Sequence, residues 1–269
     1  MWRLGQEGLK VIEEVYPVKV KGPHTPARLT APLPVPARTI LHKGTSAIIL
    51  AVDLRTVEQE ALRTGGVIEF AHQVGNFLSV DEPLFHLYGG AEAADDKRLR
   101  GAVALGAERT LEQDATFSFR VIVDIAIKAL SQAINDPTTA VLAIDQLHRL
   151  LRAVGRRHLH DDVINDADGK PRVIFRTPNW DDFVELSCRE IRLYGAANYQ
   201  IARRMRAMLE NLAATLPDNR RPALAKELSL LDQTLGALKL LPDDLALACT
   251  PDLQGLGAPM RQPRANSEP

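Results

Sequence analysis

The residues best placed for chemistry in this 269-residue chain fall into two polar clusters that flank one apolar stretch. The first is Glu108, Arg109, Thr110, Gln113 and Asp114, with Arg120 and Asp124 further on. Arg109 and Arg120 could donate bidentately to an anionic ligand, with Asp114 or Asp124 orienting the guanidinium groups. The same residues could instead form a capping and salt-bridge network that fixes a β module on helices. The second cluster is Asn135-Asp136-Pro137-Thr138-Thr139. Amides at a helix N-terminus can hold an anion, and the hydroxyls of Thr138 and Thr139 add donors. Asp136, acting as the N-cap, would occupy those same amides. A joint ligand site follows only if the two clusters meet in space.

Other polar motifs carry less. His158-x-His160-Asp161-Asp162 has the look of metal ligands, yet a solvated loop explains it as well. Asp166-x-Asp168-Gly169 starts like a calcium loop, but Phe175 stands where the glutamate is needed, so a turn is expected. Arg203, Arg204 and Arg206, with Arg192, read as a solvated basic helix face. The chain lacks Gly-x-Ser-x-Gly, Gly-x-x-x-x-Gly-Lys, His-Glu-x-x-His and Gly-x-Gly-x-x-Gly. No catalytic residue, metal site or cofactor is therefore assigned, and an enzyme would need a site assembled from scattered residues.

Composition agrees with that restraint. A hydrophobic content of 45% fills a core, and 5% aromatic residues favours helix packing over a base-stacking surface. A net charge of -1 gives no global attraction to nucleic acid or to an acidic membrane. Cys188 and Cys249 are too few for a disulfide framework, which fits a reducing compartment. Residues 1–16 lack the apolar run of a signal peptide, and no stretch reaches the roughly 18 uninterrupted apolar residues of a bilayer span. The chain itself is expected to be soluble.

The elements that must position these groups read as α+β: a small β-rich, barrel-like module followed by a mainly helical region with an inserted β-hairpin. Residues 1–39 form a short helix and a linker with prolines at 17, 23, 26, 32, 34 and 36. Residues 40–107 form the β-rich module: a strand over Ala47–Val52, a helix capped by Asp53 and ended by Gly65-Gly66, then strands from Val67, around Val74–Val80 returning through Glu82–Leu87, and at Gly101–Leu105. The rhythm Val74-x-x-Phe77 to Pro83-Leu84 resembles the half-motif of lipoyl-domain-like barrels, without a modifiable lysine at a tight turn. Residues 108–250 form the helical domain, with stripes from Phe117 to Leu130 and Val141 to Val154, and a hairpin near 163–176. One long helix is expected through Val184, Ile191, Asn198, Met205 and Leu212, answered across Pro217 by Leu224 to Leu238. Residues 251–269 read as a disordered tail.

The run Glu108-Arg109-Thr110-Leu111-Glu112-Gln113-Asp114, then Phe119-Arg120, Val123-Asp124-Ile125-Ala126, Ala129-Leu130-Ser131 and Ile134 to Ala140, resembles the DUF2254 family of predicted bacterial membrane proteins. Weaker similarity runs from about Gly44 to the second helical pair, including Val74-Gly75-x-Phe77. Gln132 departs from the proline that the family commonly carries there. The resemblance implies a soluble region, cytoplasmic in a parent protein of the inner membrane, whose N-terminal membrane helices are absent here and would be its partner. It implies no reaction. A ligand-sensing or regulatory role is the leading expectation; a homo-oligomerising structural module and an enzyme with an unrecognised site are the alternatives.

Overall fold

The computed structural model describes residues 1–20, 33–110 and 114–257. In chain order the elements are α1 (Trp2–Val15), β1 (Arg38–Leu41), β2 (Ala47–Val52), α2 (Leu54–Thr64), β3 (Val67–Phe70), β4 (Phe77–Leu78), β5 (Pro83–Tyr88), α3 (Asp96–Gly101), β6 (Val103–Gly106), α4 (Ala115–Ala129), α5 (Pro137–Gly155), β7 (Val163–Asn165), β8 (Pro171–Phe175), α6 (Trp180–Gly195), α7 (Tyr199–Thr215), α8 (Arg221–Ala237) and α9 (Pro242–Ala248). The class is α+β: mixed sheets dominate the N-terminal part and helices the C-terminal part. Two compact units form. One holds Arg3–Phe119 and Ala153–Phe183; the other holds Met1–Trp2, Arg120–Arg152 and Val184–Pro269.

The first unit contains both sheets. Five strands run in the order β1-β5-β3-β8-β7, and three in the order β4-β2-β6. All pairs are antiparallel except β3 with β8, whose register aligns Ile68 with Val173 and Phe70 with Phe175. Successive side chains on a strand point to opposite faces. One face of the larger sheet therefore carries Ile40, Phe85, Leu87, Ile68, Phe70, Val173 and Phe175, all buried in one hydrophobic cluster with Val57 and Leu99. The other face carries Thr39, His86, Tyr88 and Glu69. The expected barrel-like closure does not occur among the described residues. A barrel needs one continuous ladder, and the stretch from Val74 to Leu87 is divided between sheets instead: β4 pairs with β2, while β5 pairs with β1 and β3. The strands at 163–165 and 171–175 do form an antiparallel pair, and β3 recruits it into the larger sheet.

Local chemistry accounts for the helix boundaries. Asp53 accepts from the amides of Arg55 at 3.1 Å and Thr56 at 3.3 Å, which starts α2. Asn179 and Asp182 cap each other reciprocally before α6, at 2.8 and 3.0 Å. Asp166 accepts from the amides of Asp168 and Lys170, both at 2.9 Å, which makes the expected turn between β7 and β8.

In the helical unit, the single helix expected from Val184 to Leu212 is two. It breaks between Gly195 and Tyr199, where the Asn198 side chain accepts from the Gln200 amide and caps α7. A Cβ on Gly195 would stand 2.6 Å from Ile201 and 2.9 Å from Leu130, so a side chain there would have to displace both, and glycine makes this close turn without that cost. The threefold and fourfold steps continue across the break because both helices bury their stripes, and periodicity alone does not register a cap. Helices α7 and α8 pack together across Pro217 as the spacing predicts. The arginines expected on a solvated face are a correction: Arg203, Arg204, Arg206 and Arg192 are 3–8% exposed. Each is buried with a partner: Arg204 with Asp145 at 2.7 Å, Arg206 with Asp232, Arg192 with Glu227 at 3.6 Å, and Arg203 on the Thr250 carbonyl at 3.0 Å. Long stems cover apolar surface while the heads find acceptors.

Residues 251–257 are anchored to α7. The buried Asp252 carboxylate accepts from the amides of Gln254, Gly255 and Gly257, and Arg203 donates to the Gly257 carbonyl at 2.8 Å. Residues 258–269, the rest of the expected tail, and residues 21–32 of the proline-rich linker lie outside the described residues. No helix among the described residues is long and apolar enough to cross a membrane.

Candidate functional site

Asp114 is the sequence-nominated residue that the fold places at a cavity. It is 6% exposed and caps α4 by accepting from the Phe117 amide at 3.1 Å and from the Thr116 hydroxyl. Arg109 stands 3.6 Å away, donates to the Gly75 carbonyl, and lies over the Phe117 ring at 5.5 Å. Gly75 has φ of +90°, and a Cβ there would collide with the Asp114 carboxylate and crowd the Arg109 side chain. Gly75, Arg109 and Asp114 thus form one tightly fitted corner. Glu108 is exposed beside it. The Thr110 hydroxyl is buried without a hydrogen-bond partner among the described residues. Gln113 lies outside the described residues.

From that corner Asp114, with Ala115 beside it, lines a cleft of about 440 Å³. Its walls come from separate stretches: Glu14, Val15 and Tyr16 at the end of α1, Val52 ending β2 and Leu54 starting α2, Phe70 ending β3 and Val74 beyond it, and Phe175 ending β8 with Arg176 to Pro178 beyond it. Most of this lining is apolar. The polar groups are few and placed differently. Asp114 is committed to its cap. His160 is held by the Val15 carbonyl at 3.0 Å, with its ring 5.2 Å from that of Tyr16. Tyr16 in turn meets Phe183 edge-on at 6.2 Å. Arg176 is exposed and takes no hydrogen bond or ion pair among the described residues. An apolar pocket of this size with a few convergent polar groups is the usual form of a small-molecule site.

The remaining nominated residues fall in the helical unit. Arg120 bridges Asp124, one turn along α4, and Glu190 of α6. The two carboxylates hold the Arg120 guanidinium above its ordinary range, Glu190 most strongly, and Arg120 holds the Glu190 carboxyl below its own. Asp136 accepts from the Thr139 amide at 3.0 Å and the Thr139 hydroxyl at 2.5 Å. The Thr139 hydroxyl, and then the backbone amides, keep the Asp136 carboxyl below the usual carboxylate range. Capping therefore occupies the N-terminus of α5. Asn135 adopts a left-handed φ of +45° in the preceding turn, and Thr138 is exposed. The joint site expected from Arg109 to Thr139 is thus distributed over two compact units, with Glu108, Arg109, Thr110 and Asp114 in one and Arg120, Asp124, Asn135, Asp136, Thr138 and Thr139 in the other.

Sequence reasoning missed Arg176, Tyr16 and Glu190, and marked His160 only as part of a His-x-His loop. Arg176, Tyr16 and His160 reach the cleft from three distant segments, and no local spacing ties them to one another. The ring and carbonyl contacts of His160 place it in the cleft wall, not in a cation site. No group of three His, Cys, Asp or Glu side chains suited to a metal occurs among the described residues.

Comparison with known sequences adds context. The sequence pattern of the family described as "Predicted membrane protein (DUF2254)" matches residues 2–211. An uncharacterised protein of Mycobacterium bovis and two of Mycobacterium tuberculosis are each 28% identical over 236 residues, covering 83% of this chain and 44% of theirs. The chain spans less than half the length of these curated relatives. No solved structure matches it.

Proposed function

This chain belongs to the DUF2254 family, and on that premise we propose that it is the ligand-sensing or regulatory region of a bacterial membrane protein, with the apolar cleft beside Asp114 as its binding site. In this reading the region lies on the cytoplasmic side, and its partner is the membrane-embedded part of the parent protein. The carrying observation is the pairing of an apolar cavity of about 440 Å³ with one exposed guanidinium, Arg176, that has no partner among the described residues. Apolar walls favour the body of a ligand by removing its surface from water. A free guanidinium selects an anionic end. The ligand class is a small amphipathic anion. Asp114 contributes a carboxylate to the wall and, being of like charge, does not bind the anion.

An anilinonaphthalene sulfonate dye has this chemistry and serves as the probe. The native chain should bind it saturably at one site, with weakening of about tenfold in Arg176→Gln and loss of binding in Val52→Trp, which fills the cleft. Circular dichroism and melting temperature establish that both variants are folded. Non-saturable dye uptake, or uptake equal in all three proteins, would sink the reading.

A further inference from the structure

The opposite face of the five-stranded sheet carries a second cavity, of about 480 Å³, that the cleft beside Asp114 does not use. The strand registers put Thr39, His86, Glu69 and Ile174 in one row across β1, β5, β3 and β8. Tyr88, two residues from His86 on β5, shares their face, and the segment Leu33 to Pro36 borders the opening. A core-facing row would be apolar, as the other face is. Here Thr39, His86 and Glu69 of the row are polar, half-buried and only partly satisfied, with the buried Ile174 at its end. Tyr88 donates to Glu69 at 2.6 Å, and the other Glu69 oxygen accepts nothing among the described residues. His86 shares its Nδ1 with the Thr39 hydroxyl at 3.2 Å, which leaves its Nε2 without a partner among the described residues. Burial, and then the Glu69 carboxylate, push the Tyr88 phenol above its ordinary range, so Tyr88 stays a proton donor that holds Glu69 in place.

Arg176 also borders this cavity. It follows β8 by one residue and lies two positions beyond Ile174, the neighbour of Glu69 on the adjacent strand. One strand spacing combined with two residues along the strand separates the Glu69 and Arg176 backbones by about 8 Å. Tyr88 lies on the other side of Glu69 from Arg176, because β5 runs antiparallel to β3 while β8 runs parallel. The cavity therefore offers an acceptor-rich anionic centre, an imidazole beside it and a cationic end, while a second lining carboxylate, Asp162, accepts from the Thr177 amide at 3.4 Å. We propose that this face binds a small zwitterion, with its ammonium on Glu69 and His86 and its carboxylate on Arg176. Several charge-assisted hydrogen bonds in a half-buried cavity recognise such a ligand more strongly than either charge alone. A lone anion lacks a counterpart for Glu69, and a lone cation meets Arg176.

Isothermal titration calorimetry of the native chain tests this with glycine, β-alanine and γ-aminobutyrate as probes, and with propionate and propylamine as single-charge controls. At least one zwitterion should bind at a single site while both controls give no heat beyond dilution. Glu69→Gln keeps an acceptor for Tyr88, and Arg176→Gln changes an exposed residue, so both should stay folded and each should weaken binding by about tenfold. Both cavities border Arg176, so the discriminating variants are Val52→Trp, which closes the other cleft and should leave zwitterion binding intact, and Glu69→Gln, which should leave dye binding intact. The inference is overturned if no zwitterion binds, if either control binds as well as the zwitterions, or if Glu69→Gln binds as the native chain does.

Discussion

At the scale of single residues, Gly75 is the position on which the Asp114 corner depends. Its φ of +90° already disfavours a side chain, and a Cβ would press on Asp114 and Arg109. Gly169 makes a useful control, since its φ is +78° but a Cβ there meets nothing within 4 Å. Gly169→Ala should cost about 1 kcal/mol of backbone strain. Gly75→Ala should cost about 1–3 kcal/mol more, because a well-packed side chain must also move. Urea denaturation of the two variants measures the difference, and equal losses would refute the role given to the corner. The cysteines permit a second check. Burial, reinforced by Glu227, pushes the Cys188 thiol far above its ordinary range, whereas Cys249 is exposed. Thiolate is the reactive form. An aromatic disulfide reagent should therefore label one thiol in the native chain and two after unfolding, as counted by mass spectrometry.

At the scale of elements, Glu60 joins α2 to α3. Its carboxylate is fully buried and accepts from Arg63 at 3.1 Å, from the Asp95 amide at 2.8 Å, and from Arg98 at 3.4 Å. The Arg63 hydrogen bond is the largest cause holding this carboxyl below the usual glutamate range; burial works against it, and the Asp95 amide adds to it. A carboxylate depressed in the fold binds protons more readily when unfolded, so its contribution is complete above the ordinary glutamate range and fades as pH falls below it. Both arginines are half exposed, and water screens them. Glu60→Gln should therefore lose about 1 kcal/mol at pH 7 and less at pH 3 relative to the native chain. Denaturation midpoints at the two pH values test this; a loss independent of pH would assign Glu60 a packing role only.

At the scale of the whole molecule, the formal charge is -1 and the isoelectric point is near 6.7. Charge distribution matters more than the total. Four arginines of α6 and α7 that would make a basic surface are instead buried on acidic or carbonyl partners. These four charges are therefore neutralised within the fold and are not displayed on its surface. The chain should pass through a heparin column at low salt without retention, and retention that falls steeply with added salt would contradict the burial of Arg203, Arg204 and Arg206. Repulsion between molecules is weakest where the net charge vanishes, so solubility should pass through its minimum near pH 6.7.

The sequence by itself determined what depends on neighbours in the chain. Asp53, Asp136 and Asp166 act on amides two to four residues away, so their caps and turns were legible, as were the stripes of α4, α5 and α8 and the family resemblance around Arg109 to Ala140. Tertiary structure decided what depends on distant segments. A 3.6-residue period reports which face is buried but not what buries it, so Arg203, Arg204 and Arg206 read as solvated until Asp145, Asp232 and Thr250 were brought to them. A period of two reports that a strand has two faces but not which strand lies beside it. Pairing β4 with β2 opened the expected barrel, and the parallel pairing of β3 with β8 carried Arg176 to the edge of both cavities. Asp114, nominated as a ligand partner, caps α4 through one carboxylate oxygen and lines one cleft, a placement that depends on segments far from it in the chain.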